Sequence, residues 1–303
     1  MNFDSLLYRL AKLSEFVIIV LLVLWSVDNI QSDVQFIEFF AGVGNAFLCM
    51  QEHYRSLRFD IEDHQAPPGR SNFMDFASTS GFALAIMAVL RTTVDKSLTH
   101  YGIKCSSFCQ MNTGTSRRSA CASLGYTTYP SVCSSNLLLE RTTLLILLNT
   151  ALGGAWTLEQ PKGSVLEYYP SWRRMMQAVC EHGGPFAVAR TSLWMGLYGA
   201  DTPKRHYFYS NSQSVHKLDK GKLHVKKFDK KKKTAHYSYD KNNKACWTAT
   251  KDLSGTQLLA KQPIKEVVLS YVYLHPPEPT FLQGPYSCDI RGVYNKNLQN
   301  GFW

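Results

Sequence analysis

Short apolar runs alternate with longer apolar segments between residues 34 and 211. A short continuous run is typical of a buried strand, whereas a segment of about ten residues or more is typical of a helix. Strands are therefore predicted at residues 34–41, 56–60, 73–76, 99–103, 155–158, 186–193 and 207–209, and helices at 46–53, 81–90, 136–148 and 169–182. This alternation predicts an α/β fold whose open, mostly parallel sheet carries helices on both faces.

The first predicted strand leads into a glycine turn. Residues 34–41 are almost entirely apolar, as in a strand buried on both faces. Gly42 and Gly44 come next, and residues without a Cβ allow a sharp turn and the close approach of a ligand. The junction with the next helix is expected to present free N–H groups and a positive dipole end to a polar ligand. Two glycines also occur in many ordinary turns, so this turn alone is weak evidence for a ligand site.

Polar groups come directly after several of the predicted strands. Asp60 lies about twenty residues after the glycine turn, where dinucleotide-type folds carry the acid that binds ribose hydroxyls. Cys105 and Glu159 come after two later strands. Because ligands bind at the carboxyl ends of parallel strands, Gly42, Gly44 and these three residues are expected to face one crevice. The alternative for Asp60 is an ordinary acidic loop.

Four segments, in this order, resemble the C5-cytosine DNA methyltransferase family. Residues 38–44, Glu-Phe-Phe-Ala-Gly-Val-Gly, resemble the family's acid–Leu-Phe-Ala-Gly-x-Gly motif, and residues 105–108 resemble its Pro-Cys-x-x-Phe-Ser loop. Residues 159–161, Glu-Gln-Pro, are similar to Glu-Asn-Val, and residues 198–208 are similar to Tyr-Gly-x-Pro-x-Arg-x-Arg. The resemblance covers roughly residues 34–211.

The resemblance implies a Rossmann-like S-adenosylmethionine methyltransferase sheet and a set of site residues. Phe40, Ala41, Gly42 and Gly44 would border the cofactor, S-adenosyl-L-methionine. Asp60 would bind its ribose, and Asp75 would bind its adenine amine. Cys105 would be the catalytic nucleophile, and Glu159 would be the catalytic acid.

Cytosine chemistry explains why a thiol and an acid are needed together. C5 of cytosine is a poor nucleophile until another nucleophile adds to C6, and a thiolate with a lowered pKa suits that step. Lys104 could supply the cation that lowers the pKa of Cys105. Glu159 could stabilise charge at N3 if burial raises its pKa, and the base must leave the helical stack. The alternatives are a buried structural cysteine and an exposed loop carboxylate.

Departures from the family pattern keep other functions open. Lys104 stands in place of proline, Gln160 in place of asparagine, and the last ninety residues contain no convincing closing motif. A non-catalytic nucleic-acid-binding protein on a decayed methyltransferase fold is therefore the alternative from another class. A methyltransferase with a non-nucleic substrate is the third hypothesis.

Nearly all of the net charge of +10 lies in one segment. Residues 217–251 contain twelve lysines, no arginine and three aspartates, which indicates a polyanion-binding segment. Interleaved aromatic residues could stack on unpaired bases. The predicted nucleic-acid-binding residues are Lys204, Arg205, Lys226, Lys227, Lys230, Lys231, Lys232 and Lys233. DNA is the preferred partner and RNA stays open, and a solvated basic loop or a localisation signal is the alternative.

These observations divide the chain into an apolar segment at residues 1–32, a methyltransferase-like domain at 33–211, and a Lys-rich region with its tail at 212–303. The unbroken apolar run at 16–25 is read as a signal or anchor, as a buried helix, or as a gene-model artefact. The predicted location is the nucleus if the substrate is DNA, and the secretory pathway or a membrane if the run is a true signal. Membrane contact is expected only if the segment remains as an anchor.

Eight cysteines are spread along the chain without the dense spacing of a disulfide framework. Cys105, Cys109, Cys121 and Cys133 could be read as a zinc site, but their spacing is wide and no histidine joins them. Reduced thiols and no metal are the preferred interpretation.

Overall fold

The computed structural model describes residues 32–69, 72–94, 96–200, 203–223, 235–239, 241–243 and 245–249. Its strands are β1 (Phe36–Phe39), β2 (Ser56–Phe59), β3 (Leu98–Tyr101), β4 (Ala155–Pro161), β5 (Ala189–Trp194), β6 (Arg205–Ser210), β7 (Ala235–Tyr239) and β8 (Ala245–Ala249). The α-helices are α1 (Asn45–Met50), α2 (Thr79–Leu90), α3 (Thr113–Ser116), α4 (Pro130–Ala151) and α5 (Pro170–Gly183). Strands β7 and β8 form a separate antiparallel pair.

Six strands form one sheet in the order β2-β1-β3-β4-β6-β5. Strands β1 to β4 are parallel to their neighbours, and β6 lies antiparallel between β4 and β5. The chain proceeds from β1 to β2 on one side and then continues with β3 on the other side of β1. A change of direction of this kind places a crevice at the carboxyl ends of the two central strands. The glycine turn comes after β1 and the Cys105 loop comes after β3, so both lie at this switch point.

Alternating side chains build a core on each face of the sheet. On one face, Ile37, Tyr101 and Trp156 pack with residues of α2, α4 and α5. On the other face, Phe36 packs with Met50 of α1, and Phe208 packs with residues of the two short 3₁₀ helices that flank β6. This arrangement confirms the predicted fold class, an α/β protein with a Rossmann-like, mostly parallel sheet and helices on both faces.

Two predicted elements differ from the structure. Residues 73–76 form turns instead of a strand, because Asn72 and Asp75 fold the backbone towards α2 through local hydrogen bonds. Helix α4 begins at Pro130 and not near Asn136, because proline fits the first helical turn, where its missing N–H is not needed. Asn136 is therefore an interior residue of α4.

Helix α4 is long and apolar enough to cross a membrane by length and composition alone. Its buried residues Leu139, Leu145 and Ile146 belong to the core beneath the sheet, which accounts for its apolarity. After β6, the 3₁₀ helix Gln213–Leu218 packs Val215 and Leu218 against the sheet. The domain limits stay a prediction, and the apolar run at 16–25 and most of the Lys-rich segment lie outside the described residues.

Candidate active site

The turn after β1 requires glycine at its last position. Phe40, Gly42 and Gly44 have φ values of 58°, 54° and 73°, all in the left-handed region. A Cβ on Gly44 would lie 2.5 Å from Cδ of Arg58, which crosses the turn from β2. Any larger residue would therefore strain the backbone and displace the Arg58 side chain.

Several N–H groups at this junction are already hydrogen-bonded within the protein, contrary to the expectation from sequence. The buried carboxylate of Glu38 in β1 accepts a hydrogen bond of 2.6 Å from the N–H of Phe47 in α1. The N–H of Gly42 donates to Oδ2 of Asp60 at 2.8 Å. Burial raises the pKa of Glu38 to about 7, although its backbone hydrogen bonds and the charge of Arg58 oppose the shift. The N-terminus of α1 thus supplies hydrogen-bond donors to the side chain of Glu38, because a buried carboxyl group without such partners would be costly.

The residues predicted to hold S-adenosylmethionine fit such a ligand around Asp60. Each carboxylate oxygen of Asp60 accepts one backbone hydrogen bond, from Gly42 or Glu62, and keeps a second lone pair for a hydroxyl group. The side chains of Val43 and Ile61 are about half exposed beside it, and they offer apolar surface for a flat ring. The structure therefore joins the glycine turn directly to the predicted ribose-binding acid.

Asp75 is placed by the neighbouring turn. Its Oδ1 accepts a hydrogen bond of 2.9 Å from the N–H of Ala77, in the turn that leads into α2. The adjacent Phe76 packs edge-on against Phe40, with 4.9 Å between ring centroids. Asp75 thus lies next to the glycine turn, and its contact with an adenine amine stays a prediction.

Cys105 lies in a tight turn after β3. Its carbonyl accepts hydrogen bonds from the N–H groups of Phe108 and Cys109, which brings the two cysteines to one side of the turn. Gln160 of β4 donates from Nε2 to the carbonyl of Ile103 at 3.1 Å, so the loop is also attached to β4. The structure therefore brings the Cys105 loop and the Glu-Gln-Pro segment together, as predicted from their order.

Arg118 is the central residue of the long loop after Cys105. Only 1% of it is exposed, and its guanidinium donates to Oγ of Ser107 at 2.7 and 2.9 Å and to Oδ1 of Asn136 at 2.7 Å. It also lies 4.1 Å from the ring centroid of Phe108. Burial lowers its pKa to about 10, which leaves the side chain charged at neutral pH. Arg118 thus ties the Cys105 loop to α4.

The surroundings of Cys105 favour its thiolate. A hydrogen bond with Cys109 makes the largest contribution and, with the positive charges of Lys204 and His206, outweighs burial and the charge of Glu159. The pKa of Cys105 is thereby lowered to about 6, while the same hydrogen bond and burial raise the pKa of Cys109. Lys104, expected to supply the cation, is exposed and is not among these contributors. Lys204 and His206 take that role.

Glu159 is buried and paired with His206. Trp156 and Leu158 point into the α2–α4–α5 core, so Glu159 lies on the opposite face of β4, where Nδ1 of His206 bonds to its Oε1. Burial alone would raise the pKa of Glu159, but the charge and hydrogen bond of His206, with the charges of His100 and Lys204, lower it. The pKa of Glu159 is therefore lowered and not raised, contrary to the condition under which it was expected to act as an acid.

The predicted nucleic-acid-binding residues separate into three groups. Lys204 lies close enough to Cys105 and Glu159 for its charge to shift both pKa values. Arg205 is instead held by β5, where its Nε donates to Oγ of Ser192 at 2.6 Å and its guanidinium lies 5.2 Å from the ring centroid of Trp194. The third group, Lys226, Lys227 and Lys230 to Lys233, lies outside the described residues.

The cysteines that suggested zinc are not gathered around one point. Cys121 and Cys133 are exposed, whereas Cys105 and Cys109 are half-buried neighbours. In the described part of the chain, no group of three or more His, Cys, Asp or Glu side chains is placed to hold a metal ion.

Replacing Cys109 with alanine should raise the pKa of Cys105 from about 6 towards that of an ordinary thiol, because the largest stabilising contact of the thiolate is lost. At neutral pH, the thiolate fraction and the alkylation rate of Cys105 should therefore fall. The rate can be followed against pH with iodoacetamide and peptide mass mapping. Cys133→Ala, which changes an exposed thiol, is the control. An unchanged alkylation midpoint at Cys105 would remove Cys109 from this role.

Together, these elements define a Rossmann-like α/β protein in which a cysteine with a lowered pKa and a buried glutamate lie near the carboxyl ends of the central strands. No protein-family model and no curated protein matches the chain. Among solved structures, the chain is similar to the Entamoeba histolytica methyltransferase EhMeth, with a TM-score of 0.35 and 10% sequence identity. The match covers 68% of this chain and 59% of that chain, so this chain spans about three-fifths of that structure's length.

Proposed function

We propose that this protein is an S-adenosylmethionine-dependent methyltransferase that methylates C5 of cytosine in DNA. The observation that carries the proposal is the lowered pKa of the Cys105 thiol in a cluster with the buried carboxylate of Glu159. Both groups belong to strands or loops at the same edge of the sheet as the glycine turn and Asp60. A thiol with a lowered pKa at the same edge of the sheet as the glycine turn fits nucleophilic activation of a ring better than it fits a structural cysteine.

The protein residues have distinct tasks in this reaction. The Cys105 thiolate adds to C6 of an extruded cytosine and makes C5 electron-rich. The sulfur leaves C6 when a water molecule takes the proton from the methylated C5 and the C5–H electron pair re-forms the C5–C6 double bond. Glu159, as a carboxylate, accepts a hydrogen bond from the 4-amino group and fixes the orientation of the ring. The hydrogen bond with Cys109 and, to a smaller extent, the charge of Lys204 favour the ionised form of Cys105. S-adenosylmethionine, when bound, supplies the electrophilic methyl group.

Residues around the glycine turn would hold the methyl donor. Asp60 has the free lone pairs for ribose hydroxyls, and Phe40 to Gly44 form the turn against which the ligand would rest. Asp75 would bind the adenine amine from the adjoining turn. In this proposal the donor lies beside β1 and the base beside β3 and β4, on the two sides of the switch point.

A methyl-transfer assay with several acceptors tests the function. Full-length protein is incubated with tritiated S-adenosylmethionine and with duplex DNA, single-stranded DNA, RNA or a protein mixture, and the methylated product is identified by nucleoside chromatography. The expected product is 5-methylcytosine in DNA. Label found only in RNA would show that RNA, and not DNA, is the substrate. Label in protein would overturn the proposal. Donor binding without transfer would favour the non-catalytic nucleic-acid-binding protein.

The Lys-rich segment is proposed to hold the nucleic acid through its phosphates. Lysines without arginines suit loose phosphate contacts, and these are sensitive to salt. Deleting residues 217–251 should weaken DNA binding and make the dependence of affinity on salt concentration less steep. Fluorescence anisotropy at several salt concentrations measures both effects. Equal affinity and slope before and after the deletion would exclude the segment from binding.

A further inference from the structure

Cys105 and Cys109 form a pair of thiols, although methyl transfer needs only one. Their side chains are hydrogen-bonded to each other. Both residues are half-buried, so small molecules in solution can reach them. Among the described residues, no third ligand joins them to hold a metal ion. The Cys-x3-Cys spacing noted in the sequence therefore leaves a second thiol whose function is unassigned.

The backbone holds the two cysteines on a single turn. The N–H of Cys109 donates to the carbonyl of Cys105 at 3.0 Å. A hydrogen bond of this kind, between residues four apart, keeps their Cα atoms about 6 Å from each other, as in one turn of a helix. This separation lies within the range of roughly 4.4–6.8 Å that disulfides span. A disulfide between the two residues is therefore compatible with the turn.

Neighbouring segments hold this turn from two sides. The N–H of Val165, in the segment after β4, donates to the carbonyl of Phe108 at 3.0 Å. The buried guanidinium of Arg118 donates to Oγ of Ser107 at 2.7 and 2.9 Å. Because these contacts involve the residues between the two cysteines, the thiols remain neighbours as long as the protein is folded.

The two thiols are chemically unequal. Their hydrogen bond lowers the pKa of Cys105 and raises the pKa of Cys109, so the proton between them stays on Cys109. The positive charge of Lys204 acts on both side chains. An accessible thiolate is the form of cysteine that peroxides oxidise, and an adjacent thiol can convert the resulting sulfenic acid into a disulfide. Such a pair is typical of redox-sensitive sites.

We propose that Cys105 and Cys109 form a reversible redox site that hydrogen peroxide converts into a disulfide. The Cys105 sulfur first attacks a peroxide oxygen, so that an S–O bond forms, the O–O bond breaks and hydroxide leaves. The Cys109 sulfur then attacks the sulfur of the sulfenic acid, so that the S–S bond forms and the S–O bond breaks. The departing hydroxyl group takes the proton of Cys109 and leaves as water. The two cysteines have then lost two electrons to the peroxide, and a dithiol reductant returns them.

The consequence for methyl transfer rests on the proposed function. A Cys105 sulfur that is bonded to Cys109 has no thiolate to add to C6 of cytosine, so the oxidised protein is inactive. Reduction restores the thiolate. The second thiol also protects the nucleophile, because a disulfide can be reduced, whereas a sulfonic acid at Cys105 cannot.

Peptide mass mapping tests the disulfide directly. Trypsin cleaves after Lys104 and Arg117, so both cysteines lie in the peptide 105–117. Reduced full-length protein is treated with a small molar excess of hydrogen peroxide, and the remaining thiols are blocked with N-ethylmaleimide. The wild-type peptide should then carry no maleimide and should be lighter by two hydrogens, and dithiothreitol should restore both thiols. The Cys133→Ser protein, which is changed at an exposed thiol, should give the same result.

The Cys109→Ser protein distinguishes a paired site from ordinary oxidation of a reactive thiol. Without the second thiol, dimedone should trap Cys105 as a sulfenic acid, and further peroxide should produce sulfinic acid, which dithiothreitol does not reverse. Methyl transfer should therefore be lost after peroxide in both proteins. With dithiothreitol, it should return to the starting rate in the wild type and should stay lost in Cys109→Ser.

The outcomes separate this redox site from the proposed function. Wild-type protein that keeps both thiols free after peroxide, or that forms sulfinic acid at Cys105 or a disulfide with a different cysteine, overturns the redox site alone. A disulfide between Cys105 and Cys109 in a protein that transfers no methyl group when reduced overturns the proposed function and supports the redox site.

Discussion

Replacing Cys105 with serine is expected to lower methyl transfer by a factor of ~1000 or more, because a serine hydroxyl is not ionised at neutral pH and is a weak nucleophile without an adjacent base. In the wild type, the pKa of Cys105 is lowered to about 6, so the thiolate predominates above that pH. Wild-type activity should accordingly rise as the pH increases through about 6. Transfer of a tritiated methyl group to DNA, measured across pH, checks both expectations.

The matched control for this change is Cys180→Ser. Cys180 is also a half-buried free thiol, but it lies on α5, which covers the sheet face opposite Glu159 and His206. Its replacement should leave the rate and the pH profile within about twofold of the wild type, as for most changes outside a catalytic cluster. If Cys105→Ser retained more than about a tenth of the activity, a reaction through a thiolate adduct would be excluded.

The meeting of Cys105 and Glu159 could be predicted because it depends only on periodicity. The apolar run at 155–158 indicated one strand, and residues 99–103 were interpreted as another despite their polar composition. Parallel strands in one sheet end at the same edge. No knowledge of loops was needed, since residues at the ends of such strands must lie near one another. The lowered pKa of Glu159 was outside this reasoning, because it depends on a histidine that comes 47 residues later.

The positions of His206 and Lys204 near Glu159 were harder to predict, because β6 is antiparallel to both of its neighbours. The sequence interprets Lys204 and Arg205 as a pair of phosphate contacts, but adjacent strand residues point to opposite faces. Lys204 and His206 therefore share one face, and Arg205 turns to β5. The order Lys204, Arg205, His206 was the signal in the sequence that Lys204 and His206 share a face. Which face meets Glu159 depends on the antiparallel insertion of β6, a non-local pairing that periodicity cannot reveal.

The hydrogen-bonding role of Glu38 could likewise not be predicted from the sequence. An acid within an apolar strand is a visible signal, and the sequence accounts for it only as part of a glycine motif. Its carboxylate faces the start of α1 because the turn from Phe40 to Gly44 folds the helix back over β1. The junction that was expected to offer its N–H groups to a ligand uses part of them as hydrogen-bond donors to Glu38 and Asp60.

Arg118→Met is expected to destabilise the protein by about 3 kcal/mol, because it leaves buried acceptors on Ser107, Asn136 and Ser123 without their donor. A loss of this size should lower the melting temperature by roughly 5–10 °C. It should also slow methyl transfer, since the loop that carries Cys105 loses its attachment to α4. Thermal denaturation followed by circular dichroism measures the first effect, and the methyl-transfer assay measures the second.

The adjacent arginine provides a control that changes the same charge at the next position. Arg117 is exposed, and its side chain lies outside the network around Ser107. Arg117→Met should therefore shift the melting temperature by no more than about 2 °C, as expected for a surface change within about 0.5 kcal/mol. Arg118→Lys should recover only part of the loss, because an ammonium group cannot reproduce the planar fork that binds several acceptors at once. Equal melting temperatures for the Arg117→Met and Arg118→Met proteins would show that the buried guanidinium does not anchor the loop.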